Sequence, residues 1–263
     1  MNVQEQVNKR HEENIKRIEG FRLIDDIFFK KCFEENMEGV ELLLQIILDK
    51  SDLKVSALHT QHFVTNLLNR SVQLDVVATD SQNKTYNVEI QRASKGAGTK
   101  RARYHSSILD TNLLKKNDDF EALPETYVIF ICEEDVMGEG DALYEIGRCN
   151  MKNKKPFKDG SHIIYVNASY RDDSSLGKLM HDFYCTDPSD MYYKRLANQV
   201  EYFKKNKEGL QIMCQVMEDL IKQRNIEIAS HFLDVGNVDI DIIAKCCDLS
   251  IEEVEALKKK KAS

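Results

Sequence analysis

Two acidic residues stand where strand-forming apolar residues would be expected. Within the stretch VQLDVVATDSQNKTYNVEIQ, Val72 to Gln91, Asp75 and Glu89 interrupt two short β-type runs. In the first run Val72, Leu74 and Val76 alternate with Gln73, Asp75 and Val77. In the second, Tyr86, Val88 and Ile90 alternate with Asn87, Glu89 and Gln91. Period-two alternation assigns each set to one face of a strand. The segment Asp80-Ser81-Gln82-Asn83-Lys84 between them is rich in residues that accept left-handed backbone angles, so the pair reads as a hairpin. If the turn is centred on Gln82, Thr79 faces Thr85 and Asp75 falls opposite Glu89. Opposed residues share a face with Cβ atoms roughly 4.5–5.5 Å apart. Carboxylates that close repel unless a cation lies between them, and a hard divalent ion, which takes oxygen ligands, meets that need. A one-residue slip would send the two acids to opposite faces. The alternative is a hairpin with one wet face, on which Asp75 and Glu89 point at water.

An Asp followed about fourteen residues later by Glu-x-Gln at the end of an apolar strand resembles the active-site signature of the PD-(D/E)XK nuclease superfamily. In particular it is similar to the bacterial recombination-promoting nuclease and transposase-like family, in which Gln often replaces the final Lys. That resemblance implies an α/β fold with a restriction-endonuclease-like core (αβββαβ, a central mixed sheet flanked by helices). It implies a metal-dependent DNA endonuclease that hydrolyses phosphodiester bonds and is linked to recombination or mobile elements. The expected cofactor is Mg2+, with Mn2+ as an alternative, held by Asp75, Glu89 and the main-chain carbonyl of Ile90. Gln91 would orient the attacking water but, unlike Lys, carries no positive charge. A non-catalytic DNA-binding or assembly module that retains the nuclease fold is the competing expectation.

The surrounding elements must position these groups. From Phe21, FRLIDDIFFKKCF is apolar at helical intervals, and Asp26 reads as its N-cap. The run Asp26-Ile27-Phe28-Phe29-Lys30 also resembles a D-x-x-F-K stretch of the family, which would bring an acid near the site without making it a ligand. Val40, Leu43, Leu44, Ile47 and Leu48 form the stripe of an amphipathic helix over Met37–Leu48. One or two strands are expected between Leu53 and Leu68, where His59 and His62 read as solvated or edge histidines. Between Arg92 and Lys116 there are seven Lys or Arg residues and one acid, Asp110. A helix from about Thr99 to Leu114 would set Lys100, Arg103 and Ser107 on one face and Ala102, Leu109 and Leu113 on the other. A basic face one short loop from the carboxylates is where a phosphate backbone needs countercharge, and Lys100, Arg101 and Arg103 are the candidate nucleic-acid contacts. A solvated basic face is the plainer alternative. RARYH there is similar to the run that follows Glu-x-Gln in the family. TYVIFIC, Thr126 to Cys132, reads as a buried strand, and ALYEIGRCN and SHIIYVNAS as two further strands. The latter, with HDFYCTDPSDMYY after it, resembles text of the same family.

Composition bounds the rest. The chain has 263 residues, 42% of them hydrophobic and 31% charged, which describes an ordinary globular protein with room for one core and an appendage. Residues 1–20 are expected to form an N-terminal extension, 21–190 the nuclease-like domain, and 191–263 a helical C-terminal region. The last is a candidate for homo-oligomer formation, and Ser250 with Glu253 marks a capping box within it. A net charge of −7 excludes indiscriminate nucleic-acid binding by the whole surface, so any DNA-binding face must be local. The longest apolar run is too short to span a membrane, and the first twenty residues have no apolar signal core. Seven cysteines without C-x-x-C spacing read as reduced thiols, and the expected location is cytoplasmic.

Overall fold

The computed structural model describes residues 3–64, 72–92 and 94–262. In chain order these form α1 (Val3–Glu19), α2 (Asp26–Phe33), α3 (Met37–Ile47), β1 (Val55–Val64), β2 (Val72–Asp80), β3 (Thr85–Gln91), α4 (Thr99–Leu113), β4 (Thr126–Cys132), β5 (Leu143–Ile146), β6 (Ser161–Asn167), α5 (Ser175–Tyr184), α6 (Lys194–Lys205), α7 (Lys207–Val235), α8 (Ile240–Cys246) and α9 (Ile251–Ala262). Six strands make one mixed sheet in the order β1-β2-β3-β4-β6-β5. β1, β2 and β3 are antiparallel neighbours, β3, β4 and β6 run parallel, and β5 returns antiparallel on the edge. This is the αβββαβ order of a restriction-endonuclease-like fold, as the sequence led one to expect. The expected strand between Leu53 and Leu68 is β1; residues 65–71 and the side chain of His62 lie outside the described residues, and His59 is exposed.

Every residue of β4 is buried, the signature of a central strand covered on both faces. On one face α4 lays Ala102, Ile108 and Leu109 against Val77, Val128 and Phe130. Phe28, Phe29 and Phe33 of α2, Leu43 and Leu44 of α3, and Phe183 of α5 are fully buried on the sheet's other helices. The basic helix keeps the expected sidedness: Lys100, Arg103 and Ser107 are exposed, Ala102 and Leu109 buried.

The hairpin register is fixed at its closed end. Asp80 accepts hydrogen bonds from the main-chain N–H of Gln82 (2.8 Å) and Lys84 (2.9 Å) and from the Tyr86 hydroxyl (2.7 Å). Asn83 takes the left-handed angle the turn requires, φ 65°. Thr79 then pairs with Thr85, and the ladder runs to Val76 opposite Val88.

One expectation at α2 is corrected. Asp26 is not the cap but the first helical residue; Asp25 precedes the helix, and its carboxylate is taken by Arg22 and Arg92. An acid in the first turn is still favoured by the helix dipole, which is why the two positions read alike in sequence.

The chain divides into two units, residues 19–201 and a second formed by 1–18 with 202–263. The N-terminal helix therefore groups with the C-terminal helices. In that second unit Ala229, Ile243, Ala244, Cys247 and Val254 form a small core, α7 ends at Gly236 in a left-handed cap (φ 79°), and Arg10 reaches Asp248 at 3.0 Å. Ser250 and Glu253 exchange the two hydrogen bonds of a capping box. No helix among the described residues is long and apolar enough to cross a membrane.

Candidate active site

Beyond Val76–Val88 the main-chain ladder gives way to side chains. The Asp75 N–H donates to Glu89 Oε1 (3.2 Å), and the Ile90 N–H donates to Asp75 Oδ2 (3.1 Å). Each acid thus holds the other's strand, and the two carboxylates sit on adjoining strands at the open end of the hairpin. Asp75 is 5% exposed and Glu89 fully buried. Acids in the middle of a sheet are costly unless partnered, so what surrounds them decides what they are for.

Each carboxylate is approached by cationic or polar groups from a different helix. Lys30, one turn after Asp26 on α2, places Nζ 2.9 Å from Asp75 Oδ1 and 2.9 Å from Asp26 Oδ1, with its side chain only 17% exposed. From α4, Arg101 and His105 face Glu89. Arg101 Nη2 is 3.6 Å from Glu89 Oε2, and His105 Nδ1 is 3.5 Å from Oε1. Arg101 Nε also donates to His105 Nε2 (3.2 Å). Asn87, fully buried one face position before Glu89, brings its amide to the same imidazole at 3.5 Å.

Burial, and then the Glu89 charge, push the Asp75 carboxyl up to about 7; Lys30 opposes the shift without cancelling it. Burial works to lower the Lys30 ammonium, but the Asp75 charge and the bond to Asp26 outweigh it and hold it above its ordinary value. Glu89 Oε2 is buried without a hydrogen-bond partner, since Arg101 stands beyond bonding reach. A desolvated anionic oxygen with an open valence, next to a second carboxylate, fits a cation. The two carboxylates offer oxygen donors, the kind a hard divalent ion takes.

Gln91 lies two residues beyond Glu89 on the same side of β3. Its amide oxygen rests on Gly96 so closely that a Cβ there would collide with it, and Arg101 Nη1 is 3.9 Å from that same point. The other basic residues divide. Lys100 and Arg103 are exposed on α4. Arg92 is engaged instead by Asp25 (3.0 Å) and Glu133 (3.0 Å), an ion network that Arg22 completes at the ends of β3 and β4.

Against known families, residues 23–174 match the model described as PD-(D/E)XK nuclease family transposase. The chain belongs to this family. Comparison with curated proteins and with solved structures gives no match. The PD-(D/E)XK match spans every element just described, from α2 through α4 to β6, and nucleases of this superfamily generally use divalent metals.

Sequence reasoning alone missed Lys30, His105 and Asn87. The first two were signalled by spacing: Lys30 is four residues after Asp26 and His105 four after Arg101, one helical turn in each case. Asn87 was signalled by being polar at mid-strand on the Glu89 face.

Proposed function

We propose that this family member is a divalent-metal-dependent DNA endonuclease acting in recombination or transposition. The observation that carries the reading is the buried Asp75–Glu89 pair, crosslinked strand to strand and left with an open anionic oxygen. Asp75, Glu89 and the carbonyl of Ile90 hold the ion, with Mg2+ or Mn2+ suited to such oxygens. When bound, the ion supplies charge neutralisation at the phosphoryl group and a more acidic water. Gln91 orients the attacking water through its amide, which lies against Gly96. Because Gln91 is neutral, the fixed positive charge comes from Lys30 on one side and Arg101 on the other. His105 and Asn87 are positioning residues for Glu89. Lys100 and Arg103, exposed on α4, contact the phosphate backbone and set register without reading bases.

The non-catalytic alternative has one observation in its favour: Lys30 already occupies Asp75, as it would in a module that had given up its metal. Incubation with supercoiled plasmid in Mg2+, Mn2+ or chelator separates the two. The endonuclease nicks DNA with either metal, stops with chelator, and loses nicking in Glu89→Ala while that variant melts normally. A binding module retards DNA equally with and without metal, and Asp75→Ala changes nothing; that outcome would end the proposal.

A further inference from the structure

The far end of α5, outside the matched span, carries a second group of ligating side chains that the nuclease chemistry does not use. His181, Asp182 and Cys185 bring one donor atom each to within 4.8 Å of one another. His181 Nδ1 lies 3.4 Å from Asp182 Oδ1 and 3.5 Å from Cys185 Sγ. His181 and Cys185 are one helical turn apart and share a face. Asp182, fully buried, is held in a fixed orientation by the main-chain N–H of Tyr192 on Oδ1 and of Tyr193 on Oδ2, both at 2.8 Å.

These separations can be set against those a bound ion imposes. Tetrahedral Zn2+ with Zn–N and Zn–O of about 2.0–2.2 Å and Zn–S of about 2.3 Å puts N and O about 3.3–3.5 Å apart and N and S about 3.5–3.6 Å apart. The Nδ1–Oδ1 and Nδ1–Sγ distances fall in those ranges, but Sγ also lies 4.0 Å from Nε2, beside the ring, so binding requires the imidazole to turn until Nδ1 faces both Asp182 and Cys185. An imidazole, a thiolate and a carboxylate together are a borderline-soft donor set, which selects Zn2+ over Mg2+. The two tyrosine N–H groups supply the outer shell that fixes a ligating carboxylate. His181, with its side chain 40% exposed, leaves the cluster an entry path.

We propose that His181 Nδ1, Asp182 Oδ1 and Cys185 Sγ bind a zinc-class divalent ion at the end of α5, with a fourth position open to water. Its task is structural: it joins the last turn of α5 to the segment that ends at Tyr193, through the carboxylate that already holds that segment's N–H groups. A nucleophilic role for the thiol is disfavoured, since burial and the Asp182 and Asp190 charges push it up to about 11. Binding would release that proton.

The competing account is hydrogen bonding alone, His181 to Asp182 and the Cys185 thiol to the His181 carbonyl at 3.5 Å. Titrating the metal-stripped full chain with Co2+ decides between them. The proposal expects a thiolate-to-cobalt charge-transfer band and tetrahedral visible bands, saturating at one equivalent. Zn2+ removes them; excess Mg2+ does not. Cys185→Ser and His181→Ala lose the bands. Cys246→Ser, at an exposed cysteine elsewhere, keeps them, and so does Glu89→Ala, so the result is independent of the nuclease reading. No charge-transfer band in the wild-type protein, or one that survives Cys185→Ser, overturns the site.

Discussion

Asp75 and Asp80 are five residues apart on β2, and each is 5% exposed. Their surroundings differ in origin. The donors to Asp80 all come from within six residues: Gln82, Lys84 and Tyr86. The turn that presents them is the turn that Asp80 stabilises. Asp75 depends on β3 and α2 for its donors, Ile90 and Lys30, and its other neighbour is an acid. The closed end of the hairpin is therefore self-sufficient, and the open end is not. Residue type and burial alone do not distinguish a structural aspartate from one proposed to hold a metal. What distinguishes them is whether the nearby chain neutralises the charge or leaves it to be completed from outside.

The comparison breaks first, if it breaks, at Glu89. Glu89→Ala should slow plasmid nicking on the order of 10³-fold, about 4 kcal/mol of barrier, with a melting temperature near wild type because relief of the Asp75 repulsion offsets loss of the acceptor for the Asp75 N–H. Nicking at the wild-type rate would sink the contrast. Lys30→Met should cost about 10²-fold in rate, about 2.7 kcal/mol. It should also tighten Mg2+ binding in calorimetry, since Nζ no longer competes for Asp75; a mere counterion would give the second effect without the first. Asp80→Asn should do the reverse of both: urea denaturation should show a loss of roughly 1–3 kcal/mol from donors left unpaired, while the folded fraction keeps its specific activity.

A smaller effect follows from pH. The folded protein keeps the Asp75 proton to a higher pH than the unfolded chain does, because burial and Glu89 raise that carboxyl to about 7. The stability it contributes is complete below the unfolded value, near 4, and is lost as pH rises through about 7. Without added metal, the wild-type melting temperature should fall more steeply than that of Asp75→Asn between about pH 4.5 and pH 7, and the two should run parallel above that. Mg2+ should remove most of the difference. Melting temperatures that run parallel throughout would mean that Asp75 is as well neutralised as Asp80.

The closed end was the legible end. Asp80 to Lys84 carried the turn, the turn carried the register, and the register set Asp75 against Glu89, all through interactions local in sequence. Lys30 and His105 could not be placed that way, because their approach depends on where α2 and α4 pack on the sheet. The inward turn of Arg101 was hidden for the same reason: helical periodicity assigns it to a polar face but does not say that a buried acid lies beneath the edge of that face. The Asp26 cap was misjudged by one position because Asp25 and Asp26 are chemically equivalent as text, and only Arg22 and Arg92, brought in by folding, tell them apart. The His181–Cys185 spacing was visible as text, but its third member, Asp182, points to the same place only because Tyr192 and Tyr193 return to hold it.

The finest distinction concerns Gln91, whose neutral amide stands where the superfamily commonly has a cation. Its orientation depends on a residue without a side chain: the amide oxygen lies over Gly96, and a methyl group there would have to displace it. The obstructing atom is the far end of a flexible side chain, and Gly96 has no unusual backbone angle to protect, so Gly96→Ala should fold and melt as wild type. The displaced amide should nonetheless leave its position over Gly96, and with it the means to orient water. Nicking should fall severalfold, roughly 1 kcal/mol, with DNA affinity and Mg2+ affinity unchanged. Gln91→Ala should give a loss of similar size, and the double variant no more than either alone, since both changes remove one interaction. Additive losses in that cycle would show that Gly96 serves the backbone approach of the substrate and that Gln91 acts without it.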